Sequence, residues 1–207
     1  MITSQISIFA FYAARVILFL LIVLSVFSLA FFVERMLYFK KRFLSDDSLL
    51  KELEETHSIG DVALLLQNHD TSETDVILNS LRSVPKTAES FSLKVSAYFR
   101  PEKARWEKYT VFLGSIGSNA PFIGLLGTVL GILKSFADLG AASGAGPKIV
   151  MAGISEALIL TAVGLAVAIP AVVFFNICKT KIKAGVIRVE SITDMISSKD
   201  LFQGVRG

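Results

Sequence analysis

Residues 152–171 read AGISEALILTAVGLAVAIPA, and this stretch decides the fold class. Apart from Ser155, Glu156 and Thr161, it contains only apolar residues, glycine and proline. About 20 such residues are enough to cross the roughly 30 Å hydrocarbon core of a bilayer as a helix. The sequence contains two further runs of this kind, and the predicted spans are residues 12–39, 111–137 and 149–178. An all-α membrane protein with three transmembrane helices is therefore predicted.

The composition supports a membrane protein and argues against several other classes. Of the 207 residues, 53% are hydrophobic, which is above the usual share for a soluble domain. The net charge of +3 is not gathered on one polar face, so no nucleic-acid partner is expected. One cysteine, Cys178, and two histidines, His57 and His69, are too few for a disulfide or a Cys/His zinc site. Because the sequence has neither a phosphate-binding loop nor a nucleophile beside a base, we expect no enzyme activity, metal or cofactor.

Lysine and arginine flank the predicted spans unevenly, which indicates the direction of each span. The segments after span one, before span two and after span three are rich in these residues. In contrast, the connection at 138–148 contains only Lys148, and the N-terminal flank contains only Arg15. Cytoplasmic flanks are enriched in Lys and Arg. The N-terminus is therefore predicted to lie on the outer, periplasmic side of the membrane and the C-terminus in the cytoplasm.

The chain is expected to divide into four parts. Residues 1–43 are the N-terminus with the first transmembrane helix, and residues 44–108 are a cytoplasmic helical insert. Residues 109–178 are a hairpin of the second and third transmembrane helices, and residues 179–207 are a cytoplasmic C-terminal helix. In the insert, leucines recur at helical spacing. Ser72 with Asp75 resembles a helix-capping pair, and Pro85 is expected to end that helix. Trp106 and Tyr109 are expected at the membrane interface, where such aromatic residues are enriched.

Small residues form a stripe along each of the last two predicted spans. Their spacing keeps them on one face of each helix, and such stripes let another helix approach closely. The glycines of the two stripes are Gly117, Gly124 and Gly131 in span two, and Gly153 and Gly164 in span three. Packing of the chain's own helices would explain these glycines as well as packing in an oligomer would.

Glu156 is not explained by a plain membrane anchor. An acid inside a span is unfavourable unless it is neutral, paired or hydrated, so it is usually retained for function. An apolar surrounding favours the neutral carboxyl form, and such a group can alternately take up and release a proton. The alternative is a static hydrogen bond between helices.

Other polar residues in the same two spans are placed by the geometry of a hairpin. If the spans are antiparallel around residues 138–148, Thr128 lies at the height of Glu156, and Thr161 lies nearer mid-membrane. Lys134 lies close to the outer end of span two, where its long side chain can extend to the interface. We therefore expect Lys134 to take no part in the chemistry.

Two segments resemble a known family. Residues 119–133, NAPFIGLLGTVLGIL, and residues 152–171 are similar to the hallmark segments of the ExbB/TolQ/MotA proton-channel proteins, and the similarity extends over residues 114–181. It is looser at the end of span one, where Glu34-Arg35 precedes Tyr38-Phe39. MotA members have a fourth span and a longer chain, so the resemblance favours the ExbB and TolQ branches. The short N-terminal extension and tail favour ExbB.

The resemblance implies an assembly and a function. Glu156 would be the pore-facing acid, with Thr128 and Thr161 as the accompanying polar residues. The chain would form a homopentamer in the bacterial inner membrane around an ExbD- or TolR-like single-span dimer. Proton-motive force would then drive a TonB-like protein for outer-membrane transport. Lys134 replaces the neutral polar residue more usual in relatives.

Three alternatives to this function stay open. The first is a TolQ-like subunit of the Tol-Pal envelope and cell-division system, acting on a TolA-like protein. The second is a membrane scaffold without ion flux, in which Glu156 only holds helices together. The third is a stator of the same architecture that is driven by sodium, although protons are the expected coupling ion.

Overall fold

The structure, a computed structural model, describes residues 2–44, 48–56, 58–141 and 147–199. Within these ranges the chain is helical and contains no strand. The all-α prediction is confirmed. The described residues form seven helices, α1 (Ile2–Arg42), α2 (Ser48–Glu55), α3 (Ile59–Gln67), α4 (Ser72–Arg82), α5 (Ala88–Trp106), α6 (Thr110–Ala141) and α7 (Pro147–Ser198).

Three of these helices are long and apolar enough to cross a membrane, as predicted. The candidate spans are Phe9–Arg42, Thr110–Gly140 and Val150–Ser198. Each helix extends past its predicted span, and α6 includes Asp138, which the sequence interpretation assigned to the connection between spans. That connection is therefore shorter than predicted, and its residues 142–146 lie outside the described residues, as do His57 and the tail after Lys199.

The described residues divide into two compact units. One, called here the span unit, lies within residues 1–33 and 109–176, and the other, the insert unit, lies within residues 34–108 and 177–207. In the span unit, α1, α6 and α7 share one apolar core. Aromatic rings stack in that unit, among them Phe32 with Phe174, whose ring centroids are 4.0 Å apart, and Phe31 with Tyr109 at 4.9 Å. The buried members of the core are Ile17, Leu21, Ile116, Ala120, Leu160, Val167, Ala168 and Ala171.

Three helices of the insert unit, α3, α4 and α5, begin at hydroxyl caps, because a hydroxyl oxygen can accept from the free N–H groups of a first helical turn. Thr71 caps α4: its Oγ1 accepts from the backbone N–H of Thr74 at 3.3 Å, and the Thr74 hydroxyl oxygen accepts from the Thr71 N–H. The same reciprocal pair, a capping box, joins Thr87 and Ser90 at the start of α5. The predicted cap at Ser72 was therefore wrong by one residue, because Thr71 adopts the extended cap conformation and Ser72 is the first helical residue.

Trp106 is placed differently from the sequence prediction. It is fully buried in the insert unit, where its ring contacts Phe43 with centroids 4.7 Å apart, and its indole N–H donates to Glu102 at 3.3 Å. Gly185 makes room for these two rings, since a Cβ at that position would lie 3.0 Å from Trp106 and 2.8 Å from Phe43. The Trp106 ring therefore packs inside a protein core and does not face lipid.

Lys199 connects the end of α7 to the end of α2. Its ammonium group donates to the backbone carbonyls of Leu53, Glu54 and Thr56, with distances of 2.9 Å to Glu54 and 2.6 Å to Thr56. The last turn of α2 has no basic residue of its own. Because the final carbonyls of a helix lack intrahelical partners and carry partial negative charge, Lys199 caps this helix from a distant part of the sequence.

Candidate proton-transfer site

The glycines of the two predicted stripes lie where α6 and α7 come closest. Gly124 and Gly164 face each other: a Cβ added at Gly124 would lie 2.7 Å from the carbonyl oxygen of Leu160 and 3.1 Å from the Gly164 Cα. A Cβ added at Gly164 would lie 2.7 Å from the carbonyl oxygen of Ala120. The two distances of 2.7 Å to backbone oxygens are shorter than real Cβ contacts, so side chains at these two positions would force the helix backbones apart.

The other three glycines continue this contact in both directions. Gly117 lies against Val172, and Gly131 lies against Ala157. Gly153 lies against Ser135, whose side chain occupies the space that a Cβ would need. Within the single chain, then, the glycine stripes bring α6 and α7 into close contact.

Thr128 and Thr161 lie together between the two helices. The Thr161 hydroxyl donates to the Thr128 hydroxyl oxygen at 3.5 Å, and Thr128 donates to the carbonyl oxygen of Leu125 at 2.7 Å. Thr128 is 6% exposed and is therefore almost wholly enclosed. The pair is a short chain of hydroxyl groups in an otherwise apolar helix contact.

The hairpin register separates Glu156 from this threonine pair. Because Gly124 faces Gly164 and Thr128 faces Thr161, the residue opposite Glu156 on α6 lies about one helical turn beyond Thr128. The prediction that Thr128 and Glu156 share one height was wrong by that turn. This error came from the assumed centre of the hairpin, because that centre was taken from the ends of the apolar runs.

Glu156 lines a cavity of about 260 Å³ in the span unit. Residues of α1, α6 and α7 form its wall, and three of these carry a charge: Arg15, Lys134 and Glu156. The remaining wall residues are apolar or small, except for Ser135. The Glu156 side chain is exposed in the single chain, so its carboxyl group is accessible to a proton carrier or to a neighbouring molecule.

Lys134 belongs to an ion pair on the wall of this cavity. Its Nζ lies 3.1 Å from Oδ2 of Asp138, one turn further along α6. Arg15 lies over the ring of Phe11, with 4.5 Å between its guanidinium carbon and the ring centroid, and the Lys134 Nζ is 5.7 Å from the same centroid. Two cationic side chains and one acid therefore share the cavity.

Sequence reasoning missed Arg15 as a wall residue of this cavity and Asp138 as the ion-pair partner of Lys134. Arg15 had been used only as an orientation signal, and Asp138 had been assigned to the connection. The spacing of Lys134 and Asp138, four residues apart, is a recognisable helical ion-pair signal and could have identified the pair.

The arrangement can accept and release protons and can support close helix packing. Among the residues that the structure describes, no group of three or more His, Cys, Asp or Glu side chains could hold a metal ion. The polar groups on the cavity wall are the Glu156 carboxyl group, the Ser135 hydroxyl and two cationic side chains. The hydroxyls of Thr128 and Thr161 lie about one helical turn away.

Comparison with known proteins agrees with this chemistry. A model of the MotA/TolQ/ExbB proton channel family matches residues 68–191, which is more than half of the chain. The chain belongs to this family. Its membership, predicted from residues 119–133 and 152–171, is thereby confirmed, and the matched region includes Glu156 and both threonines.

Individual relatives come from both the ExbB and the TolQ branches. An ExbB-like biopolymer transport protein of Synechocystis is 30% identical over 161 residues, covering 75% of this chain and 77% of that protein. An ExbB-like protein of Helicobacter pylori is 51% identical over 74 residues, which is 36% of this chain. This chain spans only about half (49%) of that relative's length. The Tol-Pal system protein TolQ of Pseudomonas aeruginosa is 47% identical over 75 residues, 36% of this chain and 32% of TolQ.

Proposed function

We propose that this chain is the proton-conducting stator subunit of an inner-membrane motor that uses the proton-motive force to drive a TonB-like partner in outer-membrane transport. Glu156 is the proton-exchanging group in this proposal. Thr128 and Thr161 are polar residues of the same proton path. The observation that carries the proposal is Glu156 on the wall of a cavity among three membrane-crossing helices, in a member of a proton channel family.

The assembly belongs to the same proposal. Five copies would surround an ExbD- or TolR-like single-span dimer, whose acid exchanges protons with Glu156. Two exposed features are consistent with such neighbours: the Glu156 side chain itself, and large apolar side chains of α6 such as Phe122 and Val129. Lipid tails or an apolar face of another helix can cover these large side chains of α6.

The test of the proposal is the variant Glu156→Gln. Glutamine preserves size and hydrogen bonding but cannot exchange a proton, so proton flux should fall by about 100-fold or more. The measurement is proton uptake into vesicles that contain the complete complex, followed with an internal pH-sensitive dye. Glu190→Gln makes the same chemical change at an exposed position of α7 outside the cavity and should leave the flux unchanged.

The same variant separates the proposal from a scaffold without ion flux. A scaffold would tolerate glutamine, because the hydrogen bonds between helices would persist. Undiminished flux and motor output in Glu156→Gln, with the mass of the detergent-solubilised complex unchanged, would contradict proton conduction through this residue. Output that persists in a proton gradient but requires sodium in the medium would instead support the sodium-driven stator.

A second candidate is a TolQ-like subunit of the Tol-Pal system. The 47% identity to TolQ of Pseudomonas aeruginosa over part of the chain supports this candidate. Both branches require the same proton chemistry, so variants of Glu156 do not separate them. Co-purification does: an ExbD-like partner with a TonB-like protein supports the first proposal, and a TolR-like partner with a TolA-like protein supports the second.

A further inference from the structure

We propose that a cavity in the insert unit binds the headgroup of a phospholipid that carries both a phosphate and a primary ammonium group, as phosphatidylethanolamine does. The lipid would come from the membrane leaflet at which α1 ends and α6 begins. In the proposed orientation this is the cytoplasmic leaflet. The inference goes beyond the proposed function and does not depend on proton exchange at Glu156.

The cavity, called here the insert cavity, has a volume of about 580 Å³ and lies between the end of α1, α4 and α5. Volumes of roughly 300–1,000 Å³ are usual for sites that bind small molecules. Its wall carries charges of both signs, from Arg42, Asp75, Glu102 and Arg105. The insert cavity is therefore a polar site of the size of a small ligand.

The insert cavity lies beside the places where two helices enter the membrane. Tyr38 and Arg42 on its wall belong to the last two turns of the candidate span Phe9–Arg42, and Arg105 comes shortly before the candidate span Thr110–Gly140. Arg35 joins these two chain segments, because its guanidinium group donates to the Arg105 carbonyl oxygen at 2.9 Å. Lipid headgroups occupy the layer next to the hydrocarbon core, and basic pockets at this level bind them.

The charges on the wall form two ion pairs. Arg42 contacts Asp75 through Nη2, and the Nη1 atom of Arg105 lies 3.0 Å from Oε2 of Glu102. Among the wall residues that the structure describes, two positive charges thus accompany two negative ones. A headgroup whose only charge is a phosphate would meet carboxylates as well as arginines, whereas a headgroup with a phosphate and an ammonium group can pair with both.

Each ion pair leaves part of its charged groups open to a ligand. The Arg105 side chain is 75% exposed and uses one terminal nitrogen for Glu102, so its other N–H groups can donate to a phosphate. The Asp75 side chain is 44% exposed and contacts Arg42 through Oδ2, so Oδ1 can accept from an ammonium group. The half-exposed ring of Tyr98 adds an apolar surface for the methylene groups of the headgroup.

A choline headgroup suits this wall less well. A trimethylated nitrogen has no N–H group and cannot donate to Asp75. Such cations bind instead over aromatic faces, and Arg35 already covers one face of Tyr38, with its guanidinium carbon 4.7 Å from the ring centroid. The wall therefore favours a primary ammonium group.

Native mass spectrometry of the full-length protein in detergent micelles tests this selectivity. Phosphatidylethanolamine, phosphatidylglycerol and phosphatidylcholine with identical acyl chains are titrated one at a time, and the lipids bound per chain are counted. We expect phosphatidylethanolamine to bind about 5-fold more tightly than the other two lipids, or better. Soluble phosphoethanolamine, titrated in the same way, should bind far more weakly because it lacks the acyl chains.

Two variants assign the binding to the insert cavity. Arg105→Gln removes the exposed phosphate partner and should weaken phosphatidylethanolamine binding by about 10-fold. Asp75→Asn removes the ammonium partner and leaves the wall with a net positive charge, so phosphatidylglycerol should now bind more tightly than phosphatidylethanolamine. Arg100→Gln and Asp61→Asn make the same chemical changes at exposed positions outside the wall and should leave the selectivity unchanged.

Equal binding of the three lipids by the unmodified protein would indicate unspecific lipid contact only and would overturn the proposal. Tighter binding of phosphatidylglycerol or phosphatidylcholine would do the same. Wild-type selectivity in both Arg105→Gln and Asp75→Asn would place the bound lipid elsewhere on the protein. Equal affinities for the lipid and for soluble phosphoethanolamine would refute a membrane source. Because the lipid comparison needs no variant, a variant that fails to fold does not prevent the test.

Discussion

Glu73 shows at the scale of one residue how burial and pairing compete. Its side chain is fully buried in the insert unit, with one oxygen accepting from the Leu44 N–H at 3.3 Å and lying 3.7 Å from Arg188. The other oxygen has no hydrogen-bond partner within the described part of the chain. Burial raises the pKa of Glu73 above its ordinary value of 4.5, although Leu44 and Arg188 act in the opposite direction.

A raised pKa in the folded protein makes stability depend on pH. The contribution of Glu73 is fully present below pH 4.5 and is lost as the pH rises through the raised pKa, because the folded state holds its proton more tightly than the unfolded state. Glu73→Gln should remove this dependence, so its melting temperature should change less between acidic and neutral pH than that of the wild type. Thermal unfolding in detergent over a pH series checks this, with the exposed Glu52→Gln as control. Equal pH slopes for all three proteins would argue against a raised pKa.

At the scale of helices, the contact of α6 with α7 depends on the absence of side chains at particular glycines. A Cβ at Gly124 would meet backbone atoms of α7, whereas one at Gly140, on the same helix, would meet nothing within 4 Å. Alanine normally stabilises a helix interior by about 0.5–1 kcal/mol relative to glycine. We therefore expect Gly140→Ala to be neutral or stabilising and Gly124→Ala to destabilise by about 1–3 kcal/mol. Denaturant titration of both variants in mixed micelles measures the difference, and equal effects would show that the close approach is not needed.

The helical class and the number of candidate membrane spans followed from the sequence, while the ends of the helices and their register did not. Long apolar runs determine where a helix can cross a membrane, so all three spans were predicted. The helix ends depend on local capping, and two neighbouring hydroxyl residues, Thr71 and Ser72, could each have been the N-cap of α4. The register of α6 against α7 depends on how far each helix continues past its apolar run. Since α6 continues through Asp138, Thr128 faces Thr161 and not Glu156.

The candidate site could be predicted only in part for a related reason. An acid in an apolar run is visible in the sequence, so Glu156 was identified at once. Arg15 reaches the same cavity from a helix more than a hundred residues earlier in the chain, and no local pattern indicates that contact. Long-range contacts of this kind depend on how the helices pack, and local residue patterns do not reveal that packing.

For the whole molecule, the uneven distribution of Lys and Arg predicts the orientation in the membrane. In a background with Cys178→Ala, cysteine is introduced at exposed Gln5 or at exposed Glu190. A membrane-impermeant maleimide should label Gln5→Cys in intact spheroplasts and Glu190→Cys only after permeabilisation. Background labelling is measured with Cys178→Ala alone. The reverse pattern would invert the proposed topology and place the cavity with Glu156 in the other half of the membrane.

The Lys199 cap has a consequence for the order in which the protein is made. The insert unit combines residues 34–108 with residues from 177 onward, and Lys199 contacts carbonyl groups that precede it by 143 to 146 residues. Synthesis therefore delivers α2 to α5 first, then both helices of the membrane hairpin, and only afterwards the side chain that caps α2. Completion of this unit thus follows translation of the hairpin, and a nascent chain that has not reached residue 199 lacks the Lys199 side chain that caps the end of α2.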